Sequence, residues 1–172
     1  VWLHETWAYR ADDDNKLSRD YPQQKMHANL RAAYHEIARE LDIRDILPVG
    51  DAFQKARGRD DYTFRYPDPD FDYKKPVHPN LPDQAHSLNV GWYWKKGKDG
   101  EFSLAQDTHH ANKAGEYLGG AVWFERLFGA SVVGNTFVPE GVSADEVKIL
   151  QQVAHDTVAE EANNHPAASP AK

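Results

Sequence analysis

The chain has no cysteine, which excludes a disulfide framework, thiolate zinc sites and thiol catalysis while leaving the compartment open. It lacks any run approaching the roughly 18 uninterrupted apolar residues of a membrane helix, and no charged-then-apolar leader precedes a cleavage site. No membrane association is expected. Basic residues are in deficit, 20 Lys+Arg against 27 Asp+Glu, for a net charge of -7. Nucleic-acid binding draws on a clustered positive field that neutralises phosphates, so no nucleic-acid partner is expected either. An Asn-x-Ser/Thr acceptor is also missing. What remains is 172 residues, 40% hydrophobic and 27% charged, the mix of one globular domain. A chain of this length buries about 70% of its unfolded surface without staples.

Residues 1–9, VWLHETWAY, are rich in aromatic and β-branched types and read as a strand closed by the charged stretch 10–14. Pro22 opens a helix in which Met26, Leu30, Ala33, Tyr34, Ile37 and Leu41 recur every three or four residues, on one face. The segment 43–50, IRDILPVG, reads as a second buried strand, followed by a short helix from Asp51 to Arg57. Strand, helix, strand is the βαβ pattern, which makes the two strands parallel neighbours. Residues 58–90 hold five prolines among Tyr62, Phe64, Tyr66, Phe71 and Tyr73 and read as a packed excursion or lid rather than a linker. His86–Trp94 and Phe102–Ala105 flank KKGKDG as a hairpin. From Lys113 to Phe128 a wide apolar stripe marks a helix whose Gly119 and Gly120 imply close packing against its backbone. Ser143 with Glu146 is a capping box for a last helix reaching about Ala162, and residues 164–172 read as a tail. Two parallel strands cannot cover both faces of their helices, so further strands are expected before Val1, and residues 1–163 read as the later part of one α/β domain.

The best candidate for chemistry is Asp107-Thr108-His109-His110. An Asp three residues before a His at a helix entrance places both side chains on one side of a turn, where the carboxylate accepts the imidazole Nδ1 proton. That bond fixes the tautomer, leaves Nε2 as general base and stabilises the imidazolium formed when a hydroxyl nucleophile gives up its proton. Other constellations are weaker. His109 with Asp107 offers two ligands for a metal, but adjacent histidines rarely share one ion. Asp68, Asp70 and Asp72 alternate as in a calcium loop, yet Tyr73 and Pro79 stand where Gly and Glu are needed, so a solvated acidic turn is expected. Thr6 and Trp7 lie at the carboxyl end of the first strand, where open α/β sheets bind ligands, and are the candidate substrate contacts.

The stretch DTHHANKAGEYLGGAVWFERLFG resembles the last block of the SGNH (GDSL-like) hydrolases, with Asp107, His110, Ala111, Asn112 and Gly115 at the matching positions. VWLHETWAYR, ILPVGDAFQKAR and SLNVGWYW also resemble segments of that family, in order, the last as found in carbohydrate esterases of polysaccharide-degrading bacteria. The resemblance implies a flavodoxin-like three-layer α/β/α domain with a parallel central sheet, incomplete at its amino end. It implies a serine esterase in which His110 is the base and Asp107 its orienting acid. The family's Gly-Asp-Ser nucleophile and oxyanion blocks are not visible; Gly50-Asp51 is followed by Ala52, so the serine is expected outside this chain. The implied substrate is a small-molecule or carbohydrate ester, the implied partner the missing amino-terminal portion of the same protein, and the implied location secreted or periplasmic. No metal or organic cofactor is required. Two alternatives stand beside this reading. One is a non-catalytic carbohydrate-binding or scaffold domain using the aromatics of 62–73 and 92–94; the other is a metal-dependent hydrolase built on the histidines.

Overall fold

A computed structural model describes residues 1–164; the tail expected over 164–172 lies, from residue 165 on, outside the described residues. The chain is mixed α/β. Strand β1 (Trp2–His4) leads through a short helix α1 (Lys16–Asp20) into α2 (Gln23–Glu40), then β2 (Asp45–Leu47) and α3 (Val49–Arg57). After one 3-10 turn at Asp60–Tyr62 come β3 (Asn89–Lys96), β4 (Phe102–Ala111), α4 (Lys113–Phe128) and α5 (Ala144–Asn164). β1 and β2 pair in parallel, Leu3 opposite Ile46, while β3 and β4 form a separate antiparallel hairpin. The first strand is thus shorter than the apolar run, although the Glu5 N–H still donates to the Leu47 carbonyl at 3.1 Å. The third helix starts at Val49, two residues earlier than the composition predicts, with Pro48 at its cap.

Local chemistry sets the helix ends. Asn112 accepts the Gly115 N–H at 3.0 Å to start α4, and Gly129, at φ 62, ends it by returning its N–H to the Glu125 carbonyl. Ser143 Oγ accepts the Glu146 N–H at 3.1 Å at the head of α5. The core lies where α3, α4 and α5 meet, built from Val49, Phe53, Leu118, Val122, Leu150 and Val153. Each such side chain contributes about 1.5–3 kcal/mol by leaving water. Ile46 and Leu47 are both buried although successive strand residues face opposite sides, so β2 is covered on both faces. Trp123 of α4 reaches His4 on one side of β1, its indole N–H donating to Nδ1 at 2.9 Å.

The close packing expected at Gly119 and Gly120 is corrected, and the periodic face of α2 is partly exposed. Of the periodic face of α2 only Met26 is buried; Ile37 and Leu41 are 43% and 66% exposed, because the helix meets β2 and α3 through Met26 and Ala38 instead. In α4, a side chain at Gly120 would meet nothing and one at Gly119 only the Val49 methyl at 3.5 Å. The tight glycine is Gly115, where a Cβ would run into the Leu88 carbonyl oxygen and the Phe53 ring. No helix among the described residues is long and apolar enough to cross a membrane.

Candidate active site

Asp107 and His110 lie on the last residues of β4, not at a helix entrance. The expected helical turn is replaced by a β-bulge. Gly91 pairs with Asp107 and Asn89 with Ala111, so the single residue Val90 faces three residues, 108–110, of the other strand. The extra residues curl around the Asp107 side chain. Its Oδ1 accepts the N–H groups of His109 and His110, each at 3.0 Å, and its Oδ2 lies 2.8 Å from His110 Nδ1. Burial pushes this carboxyl up, but the hydrogen bonds from the His110 backbone, the His110 ring and the His109 backbone outweigh it and hold Asp107 below the usual carboxylate range. An ionised carboxylate only accepts, so Nδ1 carries the proton in this bond. No hydrogen bond from the described residues engages the His110 Nε2.

His110 is 82% exposed at the rim of a cleft of about 620 Å³. Thr6, Trp7 and Tyr9 line it beside the two histidines, and Tyr21, Met26 and Leu30 form the facing wall. Thr6 and Trp7 therefore share a cavity with His110. Trp7 is also committed to the scaffold: its ring stacks on Phe53 at 4.6 Å and its indole N–H donates to the His109 carbonyl at 2.8 Å. His109 stacks on Tyr9 at 3.8 Å, with Nε2 3.9 Å from Asp13 Oδ1.

Among the described residues the one group of three closely placed ligand atoms is Glu5, His35 and Asp51, so the histidines of β4 form no such group. Both Asp51 oxygens are already engaged, Oδ1 by His27 Nε2 at 2.8 Å and Oδ2 by Arg31 Nε at 3.0 Å. Glu5 is fully buried beside them. Burial first, and then repulsion from Asp51, push its carboxyl up to about 8, so it is neutral at neutral pH. The alternating aspartates bind backbone: Asp68 accepts the N–H groups of Asp70 and Asp83, and Asp72 those of Lys74 and Lys75. The aromatics of the excursion pack on one another and on the hairpin. Tyr62 stacks on His86 at 4.4 Å and donates its hydroxyl to Glu146, and Trp92 meets Tyr73 at 5.4 Å.

Sequence reasoning gave no role to Asn89, Arg57, Glu5 or Asp51. The one signal available was polarity in an apolar context: Glu5 within VWLHETWAY and Asn89 within SLNVGWYW.

No family model matches the sequence, and no curated protein matches it. A solved structure does: that of a DUF4886 family protein from Bacteroides uniformis ATCC 8492, at a TM-score of 0.64 and 23% sequence identity. The match covers 92% of this chain and 47% of that one, so the chain spans about half the length of the solved protein. At that identity the likeness shows the fold, a mixed α/β arrangement.

Proposed function

We propose that this chain carries the acid–base half of an SGNH-type serine esterase, on a three-layer α/β/α domain whose parallel central sheet extends beyond β1 and β2. The observation that carries the reading is the Asp107 carboxylate, ionised and fixed by two backbone N–H groups, holding His110 Nδ1 at 2.8 Å while Nε2 stands free beside a cleft. A serine supplied from outside these 172 residues attacks the ester carbonyl, and its proton passes to Nε2 as the oxygen–carbon bond forms. The imidazolium is stabilised by Asp107 and returns the proton to the departing alcohol; water then repeats the sequence on the acyl-enzyme. Thr6 and Trp7 wall the substrate, a small-molecule or carbohydrate ester. The sequence resemblance, rather than the fold likeness, supplies the reaction class and the exported location.

Fluorophosphonate labelling of the full-length natural protein tests this. One labelled serine is expected, with labelling lost in His110→Ala and undiminished by chelators. An unlabelled protein of complete sequence overturns the esterase reading, and loss of ester turnover on chelation points instead to metal-dependent hydrolysis.

A further inference from the structure

The bulge that aims His110 poses an accounting problem. Residues 108–110 face a single residue of β3, so their backbone groups cannot all find ladder partners, and buried backbone groups left unpaired are costly. Two of the N–H groups go to Asp107, as described. The carbonyls go elsewhere. The Thr108 oxygen accepts the Arg10 N–H at 2.9 Å. The His109 oxygen accepts two side-chain donors, the Trp7 indole at 2.8 Å and the Asn89 amide at 3.3 Å, and the same amide lies 3.5 Å from the His110 oxygen.

Both donors are themselves held. Asn89 is fully buried, and Arg57 Nη2 donates to its Oδ1 at 2.8 Å, which leaves the amide nitrogen directed at the bulge. Arg57 is fixed in turn by the Ala8 carbonyl at 3.0 Å and by the Phe53 ring, over which its guanidinium sits at 5.5 Å. Phe53 is the ring on which Trp7 stacks. The Arg57–Asn89 and Phe53–Trp7 arms thus leave one helix, α3, and converge on one carbonyl, that of His109. Arg57 thus divides its bonds between the Asn89 amide oxygen, whose nitrogen braces the bulge, and the Ala8 carbonyl.

We infer that Asn89 and Trp7 are positioning residues for the His110 imidazole, gripping the backbone of the bulge so that its ring stays in line with Asp107. The inference rests on reading Asp107–His110 as the acid–base pair. It assigns Trp7 a task on the base in addition to its place in the cleft wall. A shift of the bulge moves the ring relative to any bound ester, and a misplacement of about 1 Å costs up to about a hundredfold in rate.

The test uses the full-length protein carrying 15N-histidine, with two variants. Asn89→Asp keeps the shape and the Arg57 contact but removes the amide donor; Trp7→Phe keeps a ring on Phe53 but removes the indole N–H. In the unaltered protein the hydrogen-bonded Nδ1 proton of His110 gives a downfield signal. Each variant should broaden or move that signal, and lower kcat about tenfold to a hundredfold with KM changed less than about threefold. An unchanged signal and kcat in either folded variant overturns the inference for that residue. Should Asn89→Asp not fold, Trp7→Phe still decides whether the grip on the His109 carbonyl matters. The proton signal is read without turnover, so a protein with no reactive serine would sink the esterase reading and leave this outcome legible.

Discussion

Among the described residues two aspartate–histidine pairs sit at the same separation, 2.8 Å, and they are different devices. In one, His110 presents Nδ1 to Asp107 and is 82% exposed. In the other, His27 presents Nε2 to Asp51 and is 16% exposed, with Arg31 on the second carboxylate oxygen and the buried Glu5 alongside. The first carboxylate spends its remaining hydrogen-bonding capacity on local backbone N–H groups, which orients a ring toward open space. The second spends it on a guanidinium from the same helix as its histidine, which fastens α2 to α3. A short carboxylate–imidazole contact is therefore no evidence of catalysis by itself; the third partner and the space beyond the ring decide.

The largest expected effect separates the pairs by activity. In the full-length protein His110→Ala should lower kcat by about 10³–10⁴, and Asp107→Asn by a comparable factor because it no longer enforces the tautomer. His27→Ala should leave kcat within about threefold while lowering Tm by roughly 2–6 °C, the signature of a lost interhelix contact worth about 1–2 kcal/mol. Steady-state kinetics and thermal unfolding on the three variants check this. If His27→Ala abolishes turnover in a protein that melts normally, the assignment of the two pairs is reversed.

A smaller effect concerns pH. Glu5 has an ordinary value of 4.5 and a folded value near 8, so between those limits the folded state binds the extra proton. Its contribution is neutral below the lower limit and becomes progressively destabilising as pH rises through the window. Glu5→Gln, which keeps the shape and removes the charge, should flatten that fall and raise Tm at pH 9 by roughly 2–8 °C over the unaltered protein. Unfolding midpoints from pH 5 to 9 decide the matter; parallel curves for the two proteins would show that Glu5 is not the titrating group.

The same contrast explains what could be read without coordinates. Asp107 and His110 are three residues apart, so their proximity is local and the spacing already announces it. The parallel pairing of β1 and β2 is legible for a related reason, since a crossover through the long helix α2 joins them. What the spacing could not give is the backbone that delivers the pair. A helical turn and a bulge both bring residues i and i+3 together, and only the pairing of β4 with β3, with Val90 opposite three residues, selects the bulge. The cluster of Glu5, His27, Arg31 and Asp51 draws on the residue just after β1, on α2 and on α3, so no sequence spacing connects it. The face of α2 is a different case. Its periodicity is real, but period reports which residues share a side, not whether anything covers that side.

The smallest effect is the sharpest control on the choice of imidazole. His109 and His110 are adjacent, and both line the cleft. The two groups of His109 that serve the pair belong to its backbone: its N–H donates to Asp107 Oδ1, and its carbonyl accepts from Trp7 and Asn89. Its ring stacks on Tyr9 and sets Nε2 3.9 Å from Asp13 Oδ1. His109→Ala keeps both backbone groups, so kcat should stay within about threefold, and the lost ring contact should cost about 0.5–1.5 kcal/mol of stability. His109→Pro removes the N–H that Asp107 accepts and should lower kcat well below the Ala variant while leaving the His110 ring present. Comparing the two by kinetics isolates the backbone from the side chain. If His109→Ala is as damaging as His110→Ala, the assignment of the proton to the His110 ring is overturned.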